Sequence, residues 1–98
     1  MFVPELSHTA PLEAVDAVLP DHVAWLDELY ERGIVPAAGR REPRDGGVIV
    51  AVAGDRARTG EIAAGDPFAR AGVCEYRVTE FVATKAAPAL EPSRESAS

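Results

Sequence analysis

The sequence predicts an α+β domain with the element order β, α, β, β, α, β, on three observations. Four short runs of β type bracket two helical segments. The longer helical segment is amphipathic, with one apolar stripe. Glycine and proline cluster at the junctions, where turns are needed. The chain has 98 residues, enough for one domain and one core.

Residues 2–9 read as the first strand. Phe2, Leu6 and the His8 ring share one face by period two, and Val3 faces the other way. Pro4 removes one ladder donor and marks an irregular or exposed position. Pro11 is placed to open a helical turn, because the N–H it lacks would be unpaired there. Residues 12–17 continue that turn, with Glu13 suiting the helix dipole. Pro20 is expected to interrupt or restart the run, so the main helix is placed at 20–32. Its stripe is His22, Leu26 and Leu29, flanked by Val23 and Tyr30 on one side and Trp25 on the other. Asp27, Glu28, Glu31 and Arg32 lie opposite. Gly33 follows as the residue just past the helix end.

Residues 34–41 read as a weaker second strand, with Pro36 near its start and Gly39 inside it. The stretch Glu42-Pro43-Arg44-Asp45-Gly46-Gly47 has turn chemistry, proline first and glycines last. Residues 48–53 are continuously apolar and β-branched, which predicts a central strand covered on both faces. Gly54 and Asp55 end it, and Asp55 can cap the next helix. That helix, 56–64, offers little apolar area through Ala57, Ile62 and Ala63, and Gly60 costs it about 1 kcal/mol relative to alanine. Gly65-Asp66-Pro67-Phe68 breaks it, and residues 68–71 form one further turn. Residues 74–82 alternate as a last strand, with Tyr76 and Val78 on one face and Phe81 on the other.

From Lys85 on, alanine, proline, serine and charge take over, and Leu90 is the one large apolar residue. Such a segment cannot bury enough to offset the entropy of ordering it. The expected organisation is one domain over 1–84 and a flexible tail over 85–98. Right-handed crossovers over one sheet make the domain a ferredoxin-like sandwich. Its antiparallel four-stranded sheet carries helices on one face only. A second copy packed sheet on sheet would cover the other, which predicts a homodimer of the dimeric α+β barrel type.

The balance of 16 Asp and Glu against 10 Lys and Arg gives a net charge of −6. A phosphate backbone is repelled on average, so nucleic acid is not an expected partner. RNA-binding modules of the same element order carry sheet-face aromatics and basic charge, and neither is visible here. A local cluster such as Arg40, Arg41 and Arg44 still suits an anionic small molecule. The single cysteine, Cys74, forbids an internal disulfide. With no basic, apolar opening segment, and no apolar run near the roughly 20 residues that cross a bilayer, no membrane partner is expected. The cytoplasm is the expected compartment.

His22 stands at the centre of the apolar stripe, where a polar ring must find a partner. Asp66 is held between Gly65 and the rigid Pro67. A histidine bonded to a carboxylate has a fixed tautomer and can act as general base or acid. Each residue has a plainer reading as well. A stripe histidine is commonly a satisfied core group, and an Asp before Pro is commonly a turn or cap residue. His8, His22 and Cys74 show no metal-ligand spacing, so no metal is expected. Cys74 has no base near it in sequence and reads as a buried strand thiol. The Gly46-Gly47 pair reads as a hairpin turn, because a strand and not a helix follows.

Four segments together resemble the YciI-like family: Thr9-Ala10-Pro11-Leu12-Glu13, His22-Val23-Ala24-Trp25-Leu26, the run from Gly39 to Gly47, and Asp66-Pro67-Phe68. They span about residues 1–84. The resemblance implies a dimeric ferredoxin-like fold with His22 and Asp66 as an acid–base pair in a cleft. It also implies that Gly39, Arg44 and Phe68 line or shape that cleft and bind substrate. One relative in the family is a dehydrochlorinase acting on a chlorinated hydroxyhydroquinone, with no cofactor. His8 stands where an aromatic such as Tyr is more usual, and Arg40 and Arg41 make the edge more basic.

Two functions follow. In the first, the chain is a cofactor-free enzyme. His22 moves a proton and Asp66 orients the ring, acting on a small oxygenated or aromatic molecule by proton abstraction or elimination. In the second, it is a non-catalytic dimeric module that binds a small ligand, or supports a larger assembly, through the same cleft.

Overall fold

Strands β1 (Phe2–His8), β2 (Ala37–Arg40), β3 (Gly46–Val50) and β4 (Cys74–Glu80) form one antiparallel sheet in the order β2-β3-β1-β4. Helix α1 (Leu12–Glu31) joins β1 to β2. Helices α2 (Arg56–Ala64) and α3 (Pro67–Arg70) lie between β3 and β4. A computed structural model describes residues 1–52 and 55–93. This is the predicted ferredoxin-like arrangement. The first and third strands sit in the middle, and the second and fourth lie at the edges.

The longest ladder runs from Phe2↔Glu80 to His8↔Cys74, and it sets the register of the sheet. Phe2, Pro4 and Leu6 alternate inward on β1. Leu6, Ile49 and Cys74 pack beneath Val15 and Leu29 of α1 and Phe68 of α3, and these form the core. Each fully buried side chain of this size contributes about 1.5–3 kcal/mol. On the other sheet face Val3, Val48 and Val50 are half-buried, beside Glu5, Arg77 and Thr79. β3 is therefore covered on its Ile49 side and only half-buried on the other, not covered on both faces as its composition predicts.

Three departures from the sequence reading have a clear physical reason. Helix α1 runs unbroken through Pro20. Pro20 and Asp16 are both exposed, so the Asp16 carbonyl that loses its partner remains open to water. The helix ends as expected at Gly33, whose φ is +73°. The Gly33 N–H bonds the Tyr30 carbonyl at 3.0 Å and the Ile34 N–H bonds the Leu29 carbonyl at 3.1 Å. That closure draws Ile34 and Val35 into the core, so β2 starts only at Ala37.

The third difference is at the hairpin. The turn closes over residues 41–45, with the Arg41 N–H on the Gly46 carbonyl at 2.9 Å. Gly46 and Gly47 are the first residues of β3, paired with Ser7 and Leu6. A β-carbon on Gly46 would stand 2.0 Å from the Leu6 carbonyl oxygen. These glycines permit close backbone approach rather than a turn. The β3 ladder ends at Val50, with a Phe2↔Ala51 bridge beyond it. Ala53 and Gly54, expected to end this strand, lie outside the described residues.

The second half follows expectation more closely. Asp55 caps α2, its Oδ1 accepting the Arg58 N–H at 2.8 Å. Asp66 caps α3, with Pro67 at the first helical position. β4 leaves the ladder at Glu80, two residues early, and the Phe81 N–H bonds the Met1 carbonyl at 2.9 Å. A 3-10 turn follows over Pro88–Ser93. Among the described residues, no helix is long and apolar enough to cross a membrane.

Candidate functional site

Asp66 is fully buried, at 0 % exposure. A carboxylate there is tolerable only if its oxygens are bonded. Oδ1 accepts from His22 Nδ1 at 2.8 Å and from the Phe68 N–H at 2.9 Å, and Oδ2 accepts from the Tyr76 hydroxyl. Three elements thus meet on one side chain. His22 comes from the α1 stripe, Phe68 from α3 and Tyr76 from the inward face of β4.

This network fixes the state of the imidazole. An ionised carboxylate only accepts, so His22 Nδ1 donates and carries the proton. Nε2 is then the nitrogen left with a lone pair. The ring itself is held flat on Phe68, with centroids 4.0 Å apart and planes 13° from parallel, and Trp25 flanks it at 5.7 Å. Among the described residues no buried side-chain nitrogen or oxygen lacks a partner. Nε2, which bonds nothing in the protein, is therefore not sealed in, and His22 lines the adjoining cleft.

The cleft lies between α1 and the sheet and has a volume of about 200 Å³. Leu6, Gly47 and Ile49 form its floor, while Val15, Leu19 and Leu26 form the helix wall. His22 and Phe68 line it as well, and His8, Arg40 and Arg44 are its basic lining groups. Arg44 reaches across to bond Asp16 on α1. That bond holds the Asp16 carboxyl below the usual carboxylate range and raises Arg44. Beside it Arg41 bonds Asp45 at 2.9 Å and Ser7 at 3.0 Å. Arg40 bonds Glu42 at 3.2 Å.

Two further groups border the network. Burial, then the bond to Asp66, pushes the Tyr76 hydroxyl well above the ordinary tyrosine range. Burial, then the Asp66 charge, pushes the Cys74 thiol up to about 11. A thiol so protonated is no nucleophile at neutral pH, in keeping with the strand-thiol reading. Among the described residues, no group of three or more His, Cys, Asp or Glu could hold a metal ion.

Of the residues singled out in the sequence, His22 and Asp66 meet, and Phe68 stacks on the first and bonds the second. Gly39 and Arg44 line the same cleft. The part of Tyr76 was missed. Its inward face was readable, and a buried hydroxyl needs a partner, but nothing in the sequence says that the partner is Asp66. His8, from the inward sheet face, and Arg40, from the basic cluster suited to an anionic molecule, line the cleft as well.

The YCII-related domain matches residues 1–82. The chain belongs to that family. Among solved structures, this YCII-related domain is similar to 5-chloro-2-hydroxyhydroquinone dehydrochlorinase from Burkholderia phenoliruptrix AC1100, in complex with 2,5-dihydroxybenzoquinone. The TM-score is 0.69 at 17% identity, over 83% of this chain and 93% of that one. At that identity the likeness establishes the shared fold. No curated protein matches the chain.

Proposed function

We propose that this YCII-related domain is an acid–base enzyme acting on a small oxygenated ring, with His22 as the proton-transfer group and Asp66 as its orienting partner. The observation that carries the reading is the 2.8 Å bond from His22 Nδ1 to a fully buried carboxylate, which leaves Nε2 as a base facing the cleft. Nε2 takes a proton from the substrate, and the electrons left behind form the new π bond. The leaving group departs as an anion, and Asp66 stabilises the imidazolium until water takes its proton. This chemistry asks for no cofactor. Gly39, Arg44 and Phe68 are the proposed substrate-binding residues.

The fold of the hydroxyhydroquinone dehydrochlorinase supports the substrate class, a hydroxylated ring with a leaving group. Halide release from chlorinated hydroxyhydroquinones is the direct assay. His22→Gln is expected to slow it by about 10²–10⁴-fold while leaving 2,5-dihydroxybenzoquinone binding intact. The Trp25 ring beside His22 reports that binding by its fluorescence. A wild-type protein that binds the quinone but releases no halide would establish the ligand-binding module instead.

We also propose a homodimer of the 1–84 unit, paired through the face that bears Val3, Val48 and Val50, with 85–98 dispensable. Light scattering on the full chain and on a chain ending at residue 87 tests both. A monomer at micromolar concentration contradicts the pairing. A melting temperature lowered by more than about 5 °C, of order 1 kcal/mol for a domain this size, contradicts the dispensable tail.

A further inference from the structure

We infer that the cleft takes a monocyclic ligand bearing an anionic oxygen group, which meets Arg44 in place of Asp16 while the ring reaches His22. The inference rests on the proposed use of this cleft and adds the charge of its ligand. Its first support is a contrast. The chain carries 16 acidic residues against 10 basic ones. Yet the ionisable groups lining the cleft are His8, His22, Arg40 and Arg44, with no carboxylate among the lining residues. Arg44 and Arg40 each hold a carboxylate, Asp16 and Glu42, but both carboxylates stand outside the lining, so the wall that faces a ligand presents guanidinium and imidazole groups, which favour an anion.

The second support is the state of Arg44. A guanidinium presents a planar fork that fits a carboxylate or a paired oxyanion. Arg44 already holds such a group, the Asp16 carboxylate. That partner is half exposed, at 51 %, and Arg44 is 36 % exposed. An exposed ion pair contributes little, so exchange for another carboxylate is nearly balanced. Arg41 is different. It is tied to both Asp45 and Ser7 and does not line the cleft.

The third support is size. A cavity of about 150 Å³ holds a benzene ring, and this cleft measures about 200 Å³. One ring with a few polar substituents fits between the apolar floor and the α1 wall. Asp16 then acts as an internal competitor for the anion site.

Isothermal titration with 4-hydroxybenzoate and 4-hydroxybenzamide tests this, because the two share a shape and differ in charge. The wild-type protein is expected to bind the benzoate roughly tenfold or more tighter than the amide, as charge-assisted hydrogen bonds require. Asp16→Asn is expected to tighten benzoate binding several-fold by freeing Arg44. Arg44→Met is expected to abolish the preference. Equal affinity for the two probes in the wild type overturns the inference, as does a lack of saturable benzoate binding at millimolar concentration. Weaker benzoate binding in Asp16→Asn also overturns it, since the pair would then serve only to hold the hairpin on α1. None of these results bears on His22-dependent halide release, so the two readings fail separately.

Discussion

Asp66 and Asp16 are both carboxylates bonded to a nitrogen-bearing side chain at the same cleft, and they are built in opposite ways. Asp66 is sealed from water and receives three hydrogen bonds from three elements. Asp16 is half exposed and holds Arg44 alone. The buried network has one low-energy arrangement, because any lost partner leaves a polar atom unpaired in a dry interior. The exposed pair has water as a ready substitute. One region fixes its groups in a single arrangement, and the other can exchange its partner for water.

The contrast is open to attack from its strongest side first. Asp66→Ala leaves the His22 Nδ1–H, the Phe68 N–H and the Tyr76 hydroxyl without their acceptor. The expected loss is about 3–5 kcal/mol, read as a lower urea midpoint. A loss below about 1 kcal/mol would mean that the network does not anchor α3. Tyr76→Phe removes one donor and leaves Asp66 Oδ2 unpaired. About 1–3 kcal/mol is expected, and an unchanged midpoint would put water in the place of the hydroxyl.

Alkaline pH probes the same network without substitution. Cys74 and Tyr76 both release their protons at higher pH in the folded chain than in the unfolded one. The folded state keeps those protons over a window in which the unfolded chain has lost them. Stability therefore holds below pH 9 and falls as pH rises from about 9 towards 11, the Cys74 window. Urea midpoints across that range show the decline, and Cys74→Val is expected to flatten part of it. The smallest effect belongs to the exposed side. Asp45→Asn, which unties Arg41 Nε, is expected to leave the urea midpoint unchanged within error. A clear drop there would erase the distinction between the two regions.

Local pattern revealed most of the fold, and contact between distant elements decided the rest. Gly33, Asp55 and Pro67 act through hydrogen bonds or dihedrals within a few residues of themselves, so sequence places them correctly. Pro20 misled because its cost depends on whether the freed carbonyl faces water, which only the packing of α1 determines. Gly46 and Gly47 misled because a glycine required by a neighbouring strand looks, in sequence, like one required by a turn. In the site, His22 was conspicuous as a polar ring on an apolar stripe, and Asp66 as a carboxylate locked beside proline. Their meeting across 44 residues of chain came from the family resemblance rather than from spacing. Tyr76 had no such pointer, because its partner is set by the α3 turn laid over β4.

The uninterrupted course of α1 through Pro20 has a bearing on which molecules this protein can select. Asp16 and His22 ride on the same rigid rod, six residues apart, an axial separation of about 9 Å. A break at Pro20 would have let that interval drift. Because the helix continues, the interval is a ruler. On the proposed use of the cleft, that interval would grade ligands by the span from anionic group to reactive atom, favouring a single ring over a two-ring compound.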